Sequence, residues 1–404
     1  MKNAVLAAIG DEILGGARLE RNCNFMAKSL HNIGCEVLRI EVVSDEESEI
    51  LSLLSRWVGH TDLLIISGGL GPTHDDKTRY AIGKYLGSPL KDNELYDKIL
   101  ERVKDNPERL ERLRKTRDPQ AMIPESAQAV YNPTGSALGI RFTLSGTTII
   151  SLPGVPMEYE SMIRQELPEV FSPSHENYSW ASVIILGLPE MSIAEKIPEV
   201  INDSRLHVSI LPAFPQVELI IRGEPERVGH AERLIRSRFD DALPKGCMSI
   251  AEAVLHDARI KGAKVACAES CTGGMVSSAL TDIAGSSDVF NGSAVTYSNE
   301  AKMKILGVKE ATLANHGAVS SECAIEMTEG ALRVYDADYA VSTTGIAGPD
   351  GGSESKPVGT VWFGLASKNG ESHSFMKRLP GNREDVRVRA VRFALCELWK
   401  MIRG

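Results

Sequence analysis

The chain has 404 residues, of which 43% are hydrophobic and 25% are charged. At about 150 residues per domain, this length predicts two or three domains, and the composition excludes low-complexity and collagen-like chains. The 45 Lys and Arg residues against 54 Asp and Glu residues leave a net charge of −9, which argues against a general attraction to nucleic acid. The seven cysteines are odd in number and scattered, so we expect reduced thiols rather than a disulfide framework.

The first apolar stretch, residues 4–9, has the length of a strand and is far shorter than the roughly 20 residues that cross a bilayer. It lacks a basic flank and a cleavage site. We therefore predict a cytoplasmic protein without a membrane partner.

Residues 1–172 alternate strand and helix patterns. The predicted strands are 3–9, 35–43, 62–67 and 147–152, with a helix over 22–33 that Asn22 caps and a charged helix over 101–117. This order predicts a doubly wound parallel sheet with helices on both faces. Ligands of such sheets bind at the carboxyl ends of the strands, where two glycine-rich turns occur.

The remainder of the chain predicts two further domains. Residues 178–247 predict a small α+β insert, with strands 181–186 and 217–222, a turn over 211–215, and helices 192–202 and 224–243. Residues 249–404 predict a complete α/β domain, with helices 250–260, 275–283 and 382–402 and strands 263–267, 338–342 and 359–366. The fold class is therefore α/β with a smaller α+β middle domain.

One candidate site follows the third predicted strand, in the run Gly68-Gly-Leu-Gly-Pro-Thr-His-Asp-Asp76. Glycines before a helix let backbone N–H groups close on an anion. Asp75 and Asp76 could hold a hard cation such as Mg²⁺ beside phosphate oxygens. The alternative is an ordinary helix start whose acidic residues complement the helix dipole.

A second candidate site lies in Ala268-Glu-Ser-Cys-Thr-Gly-Gly274, between a buried strand and a helix. Ser270 could be a nucleophile, with the N–H groups of residues 271–274 stabilising an oxyanion. Serine is also a common N-cap. Cys271 is a competing nucleophile or a small buried hydrophobic residue.

The base for such a serine is not an obvious histidine, because His256, His316 and His373 lie in no glycine-rich or acidic setting. Lys302 follows a strand and starts a helix; if it were desolvated beside Ser270, it would lose its proton more easily. Alternatively, Lys302 is an exposed helix residue. The run 345–352 is either an anion loop or a tight turn.

Three motifs in residues 1–172 together resemble the MoaB/MogA-like domain of the CinA family: Gly10-Asp-Glu-Ile-Leu14, the run 68–76 and Leu152-Pro-Gly-Val-Pro156. The resemblance implies a metal-dependent ADP-ribose pyrophosphatase that uses Mg²⁺, Mn²⁺ or Co²⁺, with Asp75 and Asp76 at the metal. It implies a ligand site lined by Asp11, Asn22, Gly68, Gly69, Gly71, Pro153 and Gly154. Glu20-Arg21-Asn22 departs from the family's Asp-Thr-Asn or Asp-Ser-Asn run, and Arg21 could block or re-aim a ligand.

Residues 249–404 resemble the family's C-terminal, PncC-type domain through the runs 268–274, 296–302, 316–320, 345–352 and 356–361. The resemblance implies hydrolysis of nicotinamide mononucleotide to nicotinic acid mononucleotide and ammonia, without a cofactor. Ser270 would attack and Lys302 would take its proton, with Tyr297 assisting proton transfer or positioning Lys302. The resemblance assigns the oxyanion and substrate contacts to Thr272, Gly273, Gly274, Ser287, Gly345 and Arg383.

The insert 178–247 resembles the family's KH-type linking domain but has no GXXG loop, and the acidic chain also argues against nucleic acid. The resemblance implies a homodimer. The leading hypothesis is a bifunctional enzyme of pyridine-nucleotide recycling that acts on nicotinamide mononucleotide and ADP-ribose. The alternative is a nucleotide- or pterin-binding scaffold whose N-terminal pocket binds without catalysis.

Overall fold

The computed structural model describes residues 2–170 and 178–404, which form two compact units, Met1–Ser179 and Trp180–Gly404. The predicted domain end at residue 172 lies outside the described residues. Within the described ranges, no helix is long and apolar enough to cross a membrane.

A six-stranded sheet organises the first unit. The strands of this unit are β1 (Asn3–Ile9), β2 (Glu36–Val43), β3 (Leu63–Ser67), β4 (Leu90–Asp92), β5 (Met122–Pro124), β6 (Gln128–Val130), β7 (Gly139–Leu144) and β8 (Thr147–Leu152). The sheet order is β2-β1-β3-β8-β7-β6, and β4 and β5 form a separate pair. The four strands β2, β1, β3 and β8 are parallel, as the sequence predicts, whereas β7 and β6 extend the sheet antiparallel.

Helices cover both faces of this sheet. They are α1 (Asp11–Leu14), α2 (Asn22–Asn32), α3 (Glu47–Trp57), α4 (Thr78–Leu86), α5 (Leu95–Arg102), α6 (Pro107–Lys115), α7 (Arg117–Ala121) and α8 (Pro156–Val170). Alternate residues of β1 enter different cores: Val5 packs with residues of α3 and α4, and Leu6 with residues of α2 and α8. This alternation is the doubly wound arrangement that the sequence predicts.

Two helix predictions in this unit are wrong in detail. The charged helix over 101–117 is interrupted because the Asn106 side chain caps a new helix and Pro107 occupies its first turn. Asn22 does not cap α2. Asn22 is the first residue of the helix, and its side chain points instead towards the candidate ligand site, where it donates to Ser67.

Two further sheets organise the second unit. Its strands are β9 (Ser179–Leu186), β10 (Leu206–Ala213), β11 (Gln216–Gly223), β12 (Val265–Glu269), β13 (Phe290–Val295), β14 (Tyr339–Gly345), β15 (Thr360–Ser367) and β16 (Ser372–Arg378). The sheet orders are β10-β11-β9 and β13-β12-β14-β15-β16. In the larger sheet β13, β12 and β14 are parallel, and β15 and β16 continue antiparallel.

The helices of this unit are α9 (Glu190–Lys196), α10 (Pro198–Ile201), α11 (Pro225–Arg238), α12 (Ile250–Lys261), α13 (Met275–Thr281), α14 (Asn299–Ala301), α15 (Glu310–His316), α16 (Ser321–Tyr335) and α17 (Arg383–Arg403). A 3-10 turn spans Ser286–Asp288 and a π-helical turn spans Lys302–Leu306. The largest core of the unit lies under α12 and α17, where Trp399 and Phe363 are buried.

The middle segment differs from its prediction at the proline-rich run. Leu211 and Pro212 continue β10, where Pro212 lies opposite Val217, so the predicted turn is wrong except at residues 214–215. The helix predicted over 192–202 is divided at Pro198, and the next helix ends at Arg238 rather than near 243. The element order is strand-helix-helix-strand-strand-helix, and the KH-type assignment stays a prediction.

Candidate active site

The candidate nucleophile Ser270 stands at the carboxyl end of a central strand. It directly follows β12, and its N–H donates to the carbonyl of Thr343 on the neighbouring strand (2.9 Å). Beyond it, residues 271–274 turn the chain into α13. A cavity of about 290 Å³ opens here, lined by Ser270, Tyr297, Lys302, Gly345, Asp350 and Arg383 among others.

Lys302 is buried against the serine. Lys302 is 1% exposed, and its Nζ lies 3.1 Å from Ser270 Oγ and 2.7 Å from the carbonyl oxygen of Thr296. Burial lowers the pKa of Lys302 from its usual 10.5. Among the described residues no carboxylate forms an ion pair with this amine, so nothing there opposes the shift towards the neutral form, which can accept the serine proton.

The competing nucleophile Cys271 carries a protonated thiol. Burial raises the pKa of Cys271 to about 12, so its reactive thiolate form is suppressed at neutral pH. The backbone N–H groups of Cys271 and Thr272 oppose this rise. These two amides therefore lie close to the Cys271 sulfur, in the turn that directly follows Ser270.

The predicted oxyanion donors need a correction. The N–H of Gly273 donates to the Ser270 carbonyl (3.1 Å), and the N–H of Gly274 donates to the carboxylate of Glu269 (2.9 Å). Neither N–H is free for a substrate. The amides of Cys271 and Thr272 are the remaining candidates of the predicted set.

Glu269 is a functional candidate that the sequence reasoning missed. It is completely buried, and its carboxylate accepts the N–H groups of Gly274, Val276 and Ser277 and the hydroxyl of Ser277. The negative charge lies at the N-terminus of α13, where the helix dipole favours it. The available signal was an acidic residue just before a glycine turn and a helix.

The other predicted contacts are only partly brought together. Arg383 reaches the cavity, where its guanidinium donates to the Gly348 carbonyl (2.7 Å) and to the Tyr297 hydroxyl (3.3 Å). Tyr297 is 64% exposed and contacts Arg383, whereas it is the Thr296 carbonyl that holds Lys302. Gly345 lines the cavity. Ser287 is exposed and precedes β13, at the opposite end of the parallel strands from Ser270, so the structure does not bring it to this site.

The predicted N-terminal ligand residues converge around Asn22. The buried Asn22 side chain donates to Ser67 Oγ (2.7 Å) and to the Gly154 carbonyl (2.9 Å), which joins the carboxyl ends of β3 and β8. Gly68 donates its N–H to the carbonyl of Leu152, just before Pro153. Gly69 packs against the Thr78 side chain, which leaves no room for a Cβ.

The predicted metal ligands do not form a closed site. Asp76 accepts both the N–H and the hydroxyl of Thr73, and its carboxylate lies against Gly71. A hydrogen bond from the Thr73 side chain lowers the pKa of the exposed Asp75. Burial raises the pKa of Asp45, and the carboxylates of Asp11 and its neighbours add to that rise. In residues 2–170 and 178–404, no three His, Cys, Asp or Glu side chains are arranged to hold a metal ion. An ion such as Mg²⁺ that is held by one or two carboxylates together with substrate phosphates does not require such a cluster, so the metal stays a prediction.

Comparison with known proteins decides the family. Residues 248–402 match the family described as the CinA C-terminal domain, and residues 5–172 match the family described as a probable molybdopterin binding domain. A CinA-like protein of Thermosipho melanesiensis is 35% identical over 395 residues, which cover 96% of this chain and 97% of that protein. The chain belongs to the CinA family.

A second relative gives the same result. A CinA-like protein of Thermotoga neapolitana is 35% identical over 415 residues, which cover 100% of this CinA-family chain and 99% of the relative. The crystal structure of the competence/damage inducible protein CihA from Agrobacterium tumefaciens is 43% identical and covers 38% of this chain and 94% of its own, with a TM-score of 0.37. The expected combination of a MoaB/MogA-like domain with a CinA C-terminal domain is confirmed.

The departure from the usual CinA motif lies at the start of α2. Glu20 accepts the N–H of Cys23 (2.8 Å) and so caps the helix from two residues before its first residue. Arg21 is exposed. Asn22, the residue shared with the family pattern, keeps its inward contacts with Ser67 and Gly154.

Proposed function

We propose that this CinA-family protein hydrolyses the carboxamide of nicotinamide mononucleotide to nicotinic acid mononucleotide and ammonia. One observation carries the proposal: a buried lysine amine with a lowered pKa lies 3.1 Å from the hydroxyl of a serine at the floor of a cavity. A serine needs a base to attack an amide, and a desolvated lysine is such a base.

In the first half-reaction Ser270 Oγ bonds to the carboxamide carbon, and the hydroxyl proton passes to Lys302 Nζ. Negative charge develops on the amide oxygen, and the N–H groups of Cys271 and Thr272, in the turn after Ser270, are the proposed donors that stabilise it. The carbon–nitrogen bond then breaks, and Lys302 returns the proton to the leaving nitrogen. Ammonia departs, and an ester links the substrate to Ser270.

In the second half-reaction water attacks the ester carbon and gives a proton to Lys302. The bond to Ser270 Oγ breaks and the serine recovers its proton from Lys302. The carboxylic acid product leaves. The same two side chains therefore complete both steps, and Thr296 keeps the amine in place throughout through its carbonyl.

The rim of the cavity supports a phosphorylated substrate. Arg383 lies at the mouth with its guanidinium against Tyr297, and a planar guanidinium suits phosphate oxygens. Tyr297 presents a 64% exposed ring at the same rim, where a flat pyridine ring could stack.

The test is release of ammonia from nicotinamide mononucleotide by the full chain. Ser270→Ala and Lys302→Ala should each lower kcat by at least about 10³-fold, because each removes a group that the covalent step requires. Ser278→Ala, at an exposed serine of α13, is the matched control and should retain activity. Full activity in Ser270→Ala, or no ammonia from the wild type, would contradict the proposal.

A second candidate function concerns the first unit, where Asn22 joins the carboxyl ends of β3 and β8. Asp11 and Asp45 follow β1 and β2 at the same edge of the sheet. This is the edge at which α/β sheets bind ligands. The proposed activity is cleavage of the diphosphate of ADP-ribose to AMP and ribose 5-phosphate, with Mg²⁺, Mn²⁺ or Co²⁺ supplying charge neutralisation. The alternative is a scaffold that binds a nucleotide or pterin.

The pyrophosphatase and the scaffold can be distinguished in the Ser270→Ala variant, in which the proposed deamidase activity is absent. AMP formation from ADP-ribose with one of the three metals, lost on chelation, would support the pyrophosphatase. Saturable binding of ADP-ribose without AMP formation would favour the scaffold.

A further inference from the structure

The cavity beside Ser270 contains one carboxylate that the proposed reaction does not use. The charged residues that line the cavity are Lys302, Arg383 and Asp350. Lys302 serves the nucleophile, and Arg383 lies at the mouth. Asp350 is exposed, and no residue in the described part of the chain forms an ion pair with its carboxylate or donates a hydrogen bond to it. A charged acceptor therefore borders the substrate space without a partner in the protein.

Asp350 lies on the loop between β14 and β15, and the backbone fixes the base of this loop. Ile346 accepts the N–H of Gly359 (2.8 Å), and its own N–H donates to the first residue of β15 (2.9 Å). Gly348 has a φ of +86°, and a Cβ there would lie 2.6 Å from the side chain of Val358, so the two arms of the loop pack directly against each other. Because the loop is anchored in this way, Asp350 needs little further ordering to bind a ligand.

The same loop contacts the residue that we propose for the substrate phosphate. The Arg383 guanidinium donates to the carbonyl of Gly348 (2.7 Å). Asp350 follows Gly348 by two residues, so their Cα atoms lie within about 7 Å of each other. In nicotinamide mononucleotide the ribose joins the pyridine ring to the phosphate. With the carboxamide at Ser270 and the phosphate at Arg383, we therefore expect the ribose beside Asp350.

The chemistry of a carboxylate decides which part of the substrate it binds. An ionised carboxylate has two acceptor oxygens and repels phosphate, so Asp350 does not suit the phosphate itself. Ribose presents two neighbouring hydroxyl donors, one for each oxygen of a carboxylate. We propose that Asp350 accepts the 2′- and 3′-hydroxyls of the substrate ribose and so selects ribonucleotides. This inference rests on the proposed function, because it names how the same site recognises the middle of that substrate.

The negative charge of Asp350 gives each alternative a different sign. A carboxylate that contacts no part of the ligand would repel the phosphate at Arg383, so its neutralisation would tighten binding. A carboxylate that accepts two hydroxyls contributes charge-assisted hydrogen bonds, so its neutralisation weakens binding. A carboxylate that instead neutralises the positively charged pyridine ring would act equally on ligands with and without the 2′-hydroxyl.

Calorimetric titration of the full chain carrying Ser270→Ala tests the proposal without turnover. The probes are nicotinamide mononucleotide and its 2′-deoxy form. In this parent, loss of the 2′-hydroxyl should raise Kd by about tenfold, because one hydrogen bond to a charged group is lost. After the further change Asp350→Asn, Kd for nicotinamide mononucleotide should rise by about tenfold or more. The two ligands should then differ by less than about threefold, because the variant no longer holds the hydroxyl that distinguishes them.

Glu354→Gln in the same parent is the matched control, since it removes an exposed carboxylate of the same loop that does not line the cavity. It should change neither Kd. Tighter binding by Asp350→Asn, equal weakening of both ligands, or an undiminished preference for the 2′-hydroxyl would overturn the proposal, and so would a parent that binds neither ligand. Ammonia release by the wild type is a separate readout: the expected binding pattern without ammonia would contradict the deamidase and leave the recognition of ribose intact.

Discussion

At the residue scale, the chemistry of Ser270 depends on the protonation of one lysine. The surroundings of Lys302 supply a serine hydroxyl and a backbone carbonyl but no counter-charge. Burial therefore shifts the amine towards its neutral form, which is the form that accepts a proton. The acid limb of the pH profile of kcat/KM should accordingly lie below pH 10.5, the usual pKa of a lysine.

The same shift makes stability depend on pH. Because the pKa of Lys302 is lower in the folded chain, the unfolded chain binds more protons as the pH falls below about 10.5. The contribution of Lys302 to the stability of the wild type should fall as the pH falls towards its folded-state pKa, and Lys302→Met lacks this contribution. The free energy of unfolding of Lys302→Met relative to wild type should therefore rise as the pH falls through this window. Chemical denaturation at several pH values measures it, with the exposed Lys304→Met as control; a pH-independent difference would contradict it.

Glu269 is expected to position the nucleophile rather than react. Glu269→Gln replaces an acceptor of four hydrogen bonds with an amide that can satisfy only part of them, so the turn after Ser270 should loosen. We expect a loss of about 2 kcal/mol in stability and a fall in kcat with little change in KM.

Thermal unfolding and steady-state kinetics measure both effects of Glu269→Gln. Glu326→Gln is the matched control, because Glu326 likewise accepts an N–H and a hydroxyl at a helix start, from Lys309 and Thr312. It should lower stability and leave kcat unchanged. Equal kcat values for Glu269→Gln and wild type would show that Glu269 is only structural.

At the element scale, the junction between β3 and α4 depends on close contact of backbones. Gly68 has a φ of +112°, and a Cβ there would lie 2.3 Å from the carbonyl oxygen of Ile9. Gly87, at the end of α4, also has a positive φ (+59°), but nothing lies within 4 Å of its Cβ position. The two glycines therefore separate backbone strain from steric exclusion.

Gly87→Ala should lower the free energy of unfolding by about 1 kcal/mol, because alanine is strained in the left-handed conformation. Gly68→Ala should lower the free energy of unfolding by about 3 kcal/mol or more, because β1 and the loop between β3 and α4 must also move apart. Denaturant unfolding of the first unit measures both, and similar losses for the two variants would contradict the packing argument. Ligand binding by the first unit should fall only in Gly68→Ala.

At the scale of the whole molecule, the two compact units have separate cores. The serine, the lysine, Glu269 and Arg383 all belong to Trp180–Gly404, and so do all their hydrogen-bond partners named above. A fragment of residues 180–404 should therefore fold and retain the deamidase activity of the full chain within about a factor of ten. Circular dichroism and ammonia release measure this. A folded but inactive fragment would show that the first unit contributes to the site.

The strands and helices that pack by regular patterns could be predicted from the sequence. The buried runs of β1 and β3 and the long helix α17 were found within a few residues, because continuous or periodic apolar patterns reflect burial directly. The errors arose at prolines and helix caps, where local geometry ended one element or began another. Asn106-Pro107 started a new helix, Pro198 divided another, and the proline-rich run entered β10 because its partner strand β11 was available.

The sequence by itself determined the fold class, the family resemblance and the candidates Ser270 and Lys302, since these depend on local patterns and motifs. Only the tertiary structure decided that the lysine is buried beside the serine, that Gly273 and Gly274 have no free N–H, and that Ser287 lies at the wrong end of the sheet. The physical reason is that burial, pKa and hydrogen-bond partners arise from residues far apart in the chain. The sequence shows which chemical groups are present, whereas their free energies of protonation and hydrogen bonding depend on which groups become neighbours in the fold.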